Sequence, residues 1–251
     1  MNVGIYRGAS AMQAFERWQE AISQNLASAS VDGYRRNEPS FQSVAEDVAK
    51  LKNAQGEVQK SVKGYVPEFK STLSNAPGMI VSTGQDTNFA IEGDGFFRVR
   101  KPDGTFAYTR NGNFRLSPDF TLVTQQGYQV DGDNGPLQFR QEGGAILLNP
   151  QGLILQGTLQ IGRLAPFKFN RPTEMTRIGD GFLAPAPGDA AQPIEGQVVV
   201  HRALEASNVS TLREMVSMVT VSRAYEMARK VVEIQDDTAG KAIQTLGNPI
   251  S

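Results

Sequence analysis

An α+β fold is the class this 251-residue chain predicts, with N- and C-terminal helices forming a coiled-coil-like helical domain and a central antiparallel β-rich barrel or sandwich domain. Three observations carry that reading. Apolar residues recur at helical spacing near both ends, they alternate with period two in between, and turn residues punctuate the middle stretch. The expected boundaries are 1–34 and 206–251 for the helical domain, 35–75 for a connector and 76–205 for the β-rich domain.

The N-terminal helix has the cleanest pattern. Ile5, Gly8, Met12, Phe15, Gln19, Ile22, Leu26 and Ala29 follow steps of three and four, a heptad seam in which only Gly8 and Gln19 are poor apolar knobs. Its stop is expected at Asp32-Gly33, where a glycine can adopt the left-handed conformation. Beyond Pro39, the spacing of Phe41, Val44, Val48 and Leu51 predicts a short helix starting at Ser40. The polar, glycine-punctuated stretch from Asn53 to Gly64 predicts an extended connector.

From Ala76 to Arg202 the period becomes two. "GFFRVRKPDGTFAYTR" predicts a hairpin turning at Lys101-Pro102-Asp103-Gly104, and "NFRLSPDFTLVT" predicts another turning at Pro118-Asp119. "GYQVDGDNGPLQF" and "AILLNPQGLILQG" repeat the plan, and short apolar stretches follow at Leu159–Phe169, Ile178–Leu183 and Val198–Val200. Regular short strands with turn signals are the pattern of a sheet wrapped into a barrel or sandwich.

A long helix closes the chain. Asn208 or Thr211 can cap its start, Thr211-x-x-Glu214 has the capping-box form, and Ile243 and Leu246 extend it towards a stop at Gly247-Asn248-Pro249. Val209, Leu212, Val216, Val219, Met227, Val231 and Ile234 form one apolar stripe, and Met215, Met218, Tyr225 and Val232 form a second beside it. Helices of this length are marginal alone in water, so both terminal helices need cover. Pairing them, antiparallel or parallel, covers one stripe and leaves a surplus that must face more protein. Folding both back onto the β domain is the other arrangement the pattern allows.

Composition excludes several functions. Lys+Arg number 25 and Asp+Glu 26, which gives no electrostatic reason to expect nucleic acid or a membrane surface. With no cysteine and a single histidine, His201, thiol chemistry and multi-histidine metal sites are ruled out. No apolar run approaches the roughly 20 residues of a membrane span, and the first thirty residues lack the pattern of a cleaved secretory signal. No phosphate-binding G-x-x-x-x-G-K-[ST] or nucleophile-elbow G-x-S-x-G occurs. Gly93-x-Gly95 reads as a tight turn, Asp131, Asp133 and Asn134 as a hairpin turn rather than a calcium loop, His201 as a partly exposed strand residue, and Glu233, Asp236 and Asp237 as a solvated helix face. Met215, Met218 and Met227 suit either plain core packing or an interface that must fit several slightly different neighbours.

Three separated blocks resemble the bacterial flagellar axial proteins of the basal-body rod and hook family. They are "NLASASVDGYRR" (Asn25–Arg36), "FAIEGDGFFRVRKPDGTFAYTRNGNF" (Phe89–Phe114) and "LEASNVSTLREMVSMVTVSRAYEMARKVVEIQDD" (Leu204–Asp237). Ser28, Val31 and Asp32 depart from the first motif, and Phe120 stands where the family usually has a turn glycine. The resemblance implies a non-catalytic structural subunit of the basal-body rod, without cofactor or metal, that polymerises helically through its terminal helices and transmits torque between motor and hook. The length, without a large outer insertion, favours the proximal rod, with a distal-rod or hook-type subunit as the alternative. A soluble β-domain binding module or carbohydrate-acting enzyme with packed-back helices is the reading outside the family.

The implied partners are other copies of the chain, neighbouring rod and hook axial subunits and the flagellar type III export apparatus, with no nucleic acid and no membrane insertion. The implied location is the periplasm-spanning rod, reached by export without a cleaved signal. Motif positions Asn25, Gly33, Tyr34, Asn208, Glu214, Arg223, Tyr225 and Glu226 are thereby expected in inter-helix and inter-subunit packing. So are the seam and stripe residues Ile5, Met12, Phe15, Ile22, Leu26, Leu212, Met215 and Val219.

Overall fold

The computed structural model describes residues 3–52, 58–141, 143–149, 152–179, 181–194, 196 and 199–247. It divides into two compact units. The first gathers Met1–Leu26, Asn37–Ser71 and Thr211–Ser251, and the second gathers Ala27–Arg36 and Thr72–Ser210.

In the first unit, α1 spans Val3–Ala27 and α2 spans Thr211–Gly247, 25 and 37 residues long. They run antiparallel. Gly8 touches Val232, Tyr225 donates to Glu16 (3.2 Å), Gln19 donates to Ser222 (3.2 Å) and Asn25 donates to Glu214 (3.2 Å), so α2 numbers fall as α1 numbers rise. A terminal helical pair is therefore the arrangement adopted. The N-terminal helix ends at Ala27, not at Gly33, although Gly33 does take a left-handed φ of 67° in the turns that follow.

The helix expected from Ser40 does not form. Residues Asn37–Lys52 make strand β1, which pairs with β2 (Val58–Leu73), each 16 residues long. A 3-4-3 spacing of four apolar residues loses to a partner strand that satisfies the backbone of both segments. Aromatic packing fixes the result: the Phe41 ring meets Phe69 across the ribbon at 5.8 Å, and Trp18 and Phe15 of α1 at 5.3 and 6.4 Å. Of the expected connector, residues 58–64 belong to β2, and 53–57 lie outside the described residues. Asn248, Pro249, Val198, Pro150, Gln151 and the side chains of Ile243 and Leu246 lie outside them too.

The second unit is β-rich. It begins with β3 (Ile80–Ser82), β4 (Phe89–Ile91), β5 (Phe97–Arg100), β6 (Phe106–Thr109), β7 (Phe114–Leu116), β8 (Leu122–Thr124), β9 (Gln129–Gly132) and β10 (Gly135–Pro136). It continues with β11 (Ile146–Leu148), β12 (Leu153–Gln156), β13 (Leu159–Arg163), β14 (Phe167–Lys168), β15 (Thr176–Gly179) and β16 (Phe182–Ala184). The last three are β17 (Gln192–Pro193), β18 (Val199–His201) and β19 (Ala203–Glu205). The expected hairpins are present: β5 pairs with β6, β7 with β8, β9 with β10 and β11 with β12, all antiparallel.

The largest sheet runs β15-β16-β6-β5-β9-β8-β7, with β10 on β9. Its path has two ends, so among the described residues it is an open sheet and not a closed barrel. Smaller sheets, β11-β12-β13, β14-β17, β18-β4 and β19-β3, complete the unit. The alternation read from the sequence fills one core of Phe89, Phe97, Val99, Phe114, Leu122, Val130, Ile154 and Leu164. A second cluster forms around Phe96, Tyr108, Phe167, Phe169 and Leu183.

Asp131 departs from the turn expected of it. It lies in β9, 1% exposed, and its carboxylate meets Arg98 at 2.7 Å and Arg100 at 3.2 Å. The Arg98 guanidinium in turn sits between the Phe106 and Phe167 rings, 4.8 and 4.3 Å from their centroids. His201 is a half-buried strand residue, its Nε2 2.8 Å from the Asp86 carbonyl.

Candidate assembly surface and motif junction

The helix pair separates the two stripes of α2. The inward seam is Glu214, Met218, Val221, Tyr225, Ala228, Val232, Gln235 and Ala239, in strict steps of four and three, with Glu214 and Val221 buried and the rest half-buried. Val221 is completely buried and Glu214 is 1% exposed. Three members of the predicted second stripe, Met218, Tyr225 and Val232, therefore face inward, whereas Met215 is 53% exposed. Of the first stripe, Val209 precedes α2 and is half-buried in the second unit, and the other members point away from α1. Leu212, Val216, Val219, Met227, Val231 and Ile234 are each more than half exposed, with Leu212 the most open at 73%. Seven large apolar side chains, counting Met215, share one face of α2, in two groups on either side of the exposed Arg223.

Predicted contact residues divide accordingly. Leu212, Met215, Val219, Arg223 and Glu226 are exposed, and Tyr225 is half-buried with its hydroxyl donating to Glu16. On α1, Ile22 is buried, while Ile5, Met12, Phe15 and Leu26 are half-buried. Asn25 is spent inside the unit. Its Oδ1 accepts from the Asn37 amide (2.8 Å), and its Nδ2 donates to the Asn37 carbonyl (2.9 Å) and to Glu214 Oε2 (3.2 Å). This amide side chain mimics a strand neighbour to the start of β1 and ties it to both helices. At 1%, 7% and 1% exposure, Asn25, Asn37 and Glu214 are all dry, which makes each of these bonds expensive to lose. Gly8 is buried because α2 passes directly over it; a Cβ there would overlap the Val232 Cγ2 methyl.

In the second unit the three sequence blocks converge. Gly33, Tyr34, Arg35 and Arg36 come from the first, Arg110 and Gly112 from the second, Glu205 and Asn208 from the third. Glu205, 2% exposed, lies at the centre. Its carboxylate meets Arg35 Nη2 at 3.1 Å and Arg110 Nη1 at 3.3 Å, and accepts from the Gly78 amide at 2.8 Å. Its backbone carbonyl accepts from the Gly33 amide at 2.6 Å. Arg35 also donates to the carbonyls of Asn75 (3.0 Å) and Ala76, and Arg110 to those of Ile91 (3.2 Å) and Gly93. Burial pushes the Arg110 guanidinium down to about 10; the carboxylate of Glu205 pulls it back up, Arg35 adds to the depression, and Asp94 opposes it. Burial likewise lowers Arg35, against the pull of Glu205 and Asp94. Two buried cations sharing one buried carboxylate hold together only as a complete set.

The glycines of the motifs are steric necessities. A Cβ on Gly33 would collide with the Arg110–Asn111 backbone, and one on Gly112 with the Phe89 carbonyl. Asn208 is not a helix cap. Its Oδ1 accepts from the Arg36 amide (2.7 Å), its Nδ2 donates to the Ala76 carbonyl (2.7 Å), and its own amide reaches the Tyr34 carbonyl (3.3 Å). The Tyr34 ring is covered by the Arg177 guanidinium, 4.0 Å from its centroid, which also donates to the Arg35 carbonyl.

Sequence reasoning did not pick out Val221, Arg35, Arg110 or Glu205. Val221 could have been found, because 218, 221, 225, 228 and 232 keep the heptad steps of the inward face. Within the first unit, a cleft of about 240 Å³ is lined by Tyr6, Ser10, Arg17, Val44, Glu68 and Phe69, among others. Among the described residues, no group of three or more His, Asp or Glu could hold a metal ion, and no helix is long and apolar enough to cross a membrane.

Comparison with known proteins agrees with the motif blocks. Residues 90–211 match the family model described as the flagellar hook protein FlgE/F/G D1 domain, and residues 201–245 match the flagellar basal body rod FlgEFG protein C-terminal model. The flagellar basal-body rod protein FlgF of Rhizobium meliloti is 29% identical over 251 residues, covering 98% of this chain and 99% of that protein. FlgF of Salmonella typhimurium is 29% identical over 260 residues, again covering 98% and 99%. The flagellar basal-body rod protein FlgG of Borreliella burgdorferi is 28% identical over 260 residues, covering 95% and 96%.

Proposed function

We propose that this chain, which belongs to the flagellar basal-body rod and hook family, is a structural subunit of the rod that polymerises helically through its terminal helices and transmits torque between motor and hook. Its family is structural and non-catalytic, so it is not an enzyme. Its partners are other flagellar axial subunits, and its place is the basal body. Among rod positions the proximal one is favoured, in keeping with the full-length similarity to proteins named FlgF.

The observation that supports assembly through the helices is the outward stripe from Leu212 to Ile234. A face of that size and character is covered in a stable soluble structure, and the helix that could have covered it already lies against the opposite seam. Neighbouring subunits, with other copies among them, supply the cover. Contacts of this heterologous kind do not close on themselves and so build a helical tube. The finer assignments follow as part of the same proposal: the terminal helices wind as a coiled-coil-like layer, and the β-rich unit contacts the outside of the tube. The subunit is passed through the growing structure by the type III export apparatus without removal of a signal segment.

The test is a deletion of the gene in its own host, followed by electron microscopy of isolated basal bodies. The expected result is a structure that stops within the rod and carries no hook. A complete rod and hook in the deletion strain would refute the proposal.

A further inference from the structure

The segment Ala27–Arg36 follows α1 without a break, yet it belongs to the second unit, while both α1 and the strand after it belong to the first. The bonds explain why. Gly33 and Arg35 are held by Glu205, and the backbone of Tyr34 and Arg36 by Asn208. Ser74 donates to the Arg36 carbonyl at 2.8 Å, and Arg35 donates to the carbonyls of Asn75 and Ala76. Thus 33–36, 74–78 and 205–208, three stretches at which the chain enters or leaves the second unit, are tied to one another across more than a hundred residues of sequence.

Among the described residues, the side chains named in this knot lie outside the helix pair. Glu205, Arg35, Arg110 and Asn208 all lie in the second unit, and their hydrogen-bond acceptors and donors described above do as well. We propose that the knot is a permanent anchor. Residues 27–36 stay folded as part of the β-rich unit whether or not α1 and α2 are folded, so that the boundary between separately melting parts falls at Leu26–Ala27 and at Ser210–Thr211, not at Gly33. The helices are then grown from fixed starting points, with Asn208 and Glu205 as the residues that fix them.

Hydrogen exchange on the full-length free chain, read by mass spectrometry along a urea series, tests this. Amides of Gly33, Arg36, Ser74 and Asn208 should lose protection at the same urea concentration as β5, β6 and β9, whatever the concentration at which α1 and α2 lose theirs. Exchange of 27–36 together with α1, ahead of the β strands, would overturn the proposal. Glu205→Gln should raise exchange at Gly33 and Arg36 at least ~100-fold, because it leaves two buried guanidiniums without their anion. Should that variant unfold the entire β unit, Asn208→Ala serves instead: it removes the acceptor of the Arg36 amide and should raise exchange there about tenfold, leaving β5 and β9 unchanged. Unchanged exchange at Arg36 in Asn208→Ala would also overturn the anchor.

Discussion

Val219→Asp strikes the outward stripe at its centre. Val219 is 53% exposed in the single subunit, so a covering neighbour removes about half of the side chain from water, worth about 1 kcal/mol. Aspartate forfeits that gain and carries a carboxylate into an apolar contact, where desolvation costs several kcal/mol. A combined loss of about 4 kcal/mol per contact weakens association roughly a thousandfold. In the free subunit the same position remains in water, and the expected change is within about 0.5 kcal/mol. Two assays separate these effects: thermal unfolding of the purified subunit, and counts of completed rods, with swarming, in a host whose own gene copy is replaced. The expected outcome is an unchanged melting temperature with few or no rods. Wild-type rod numbers would show that the stripe is not an interface, and a large drop in melting temperature would show that it is an internal core. Val219→Ala, which loses only the apolar term, should weaken assembly no more than about fivefold.

Gly8→Ala should lower the stability of the helix pair despite alanine's better helix propensity, because the new methyl meets Val232; Val232→Ala in the same chain should restore it, as read by helical circular dichroism during melting. Glu205→Ala should destabilise the β-rich unit by about 3–5 kcal/mol in chemical denaturation, since it strands the Arg35 and Arg110 charges. Phe120 holds a left-handed φ of 58° while packing on the main core. Phe120→Gly therefore trades packing for relief of about 1–2 kcal/mol of backbone cost and should stay within about 1 kcal/mol of the parent, whereas Phe120→Ala keeps the cost, loses the packing and should be clearly less stable in the same measurement.

What could be read from the sequence was what local spacing encodes. The heptad steps of α1, the two stripes of α2 and the Pro-Asp and Asp-Gly turns each depend on residues a few positions apart, and each became the expected element. Strand β1 could not be read that way, because its partner starts at Val58 and only pairing across that distance turns Phe41 towards Phe69. The junction around Glu205 was hidden for the same reason. Arg35, Arg110 and Glu205 sat inside the motif blocks as quoted, but nothing in one block reveals that the others lie against it. A weaker clue existed. In Ala203-Leu204-Glu205 a carboxylate closes a short apolar strand, and a charge in such a place is buried only when it is paired. Asp131 carried the opposite lesson, since its neighbours Gly132 to Gly135 are turn-forming enough to mask a strand residue bound to two arginines.

The two helices differ in length, 25 residues against 37. With Gly8 seated over Val232, the beginning of α1 runs out near residue 237, and α2 goes on to Gly247, a projection of about 15 Å at 1.5 Å per residue. The last turns of α2 thus extend beyond the first residue of α1, a length too short to hold its own coil in water without further packing.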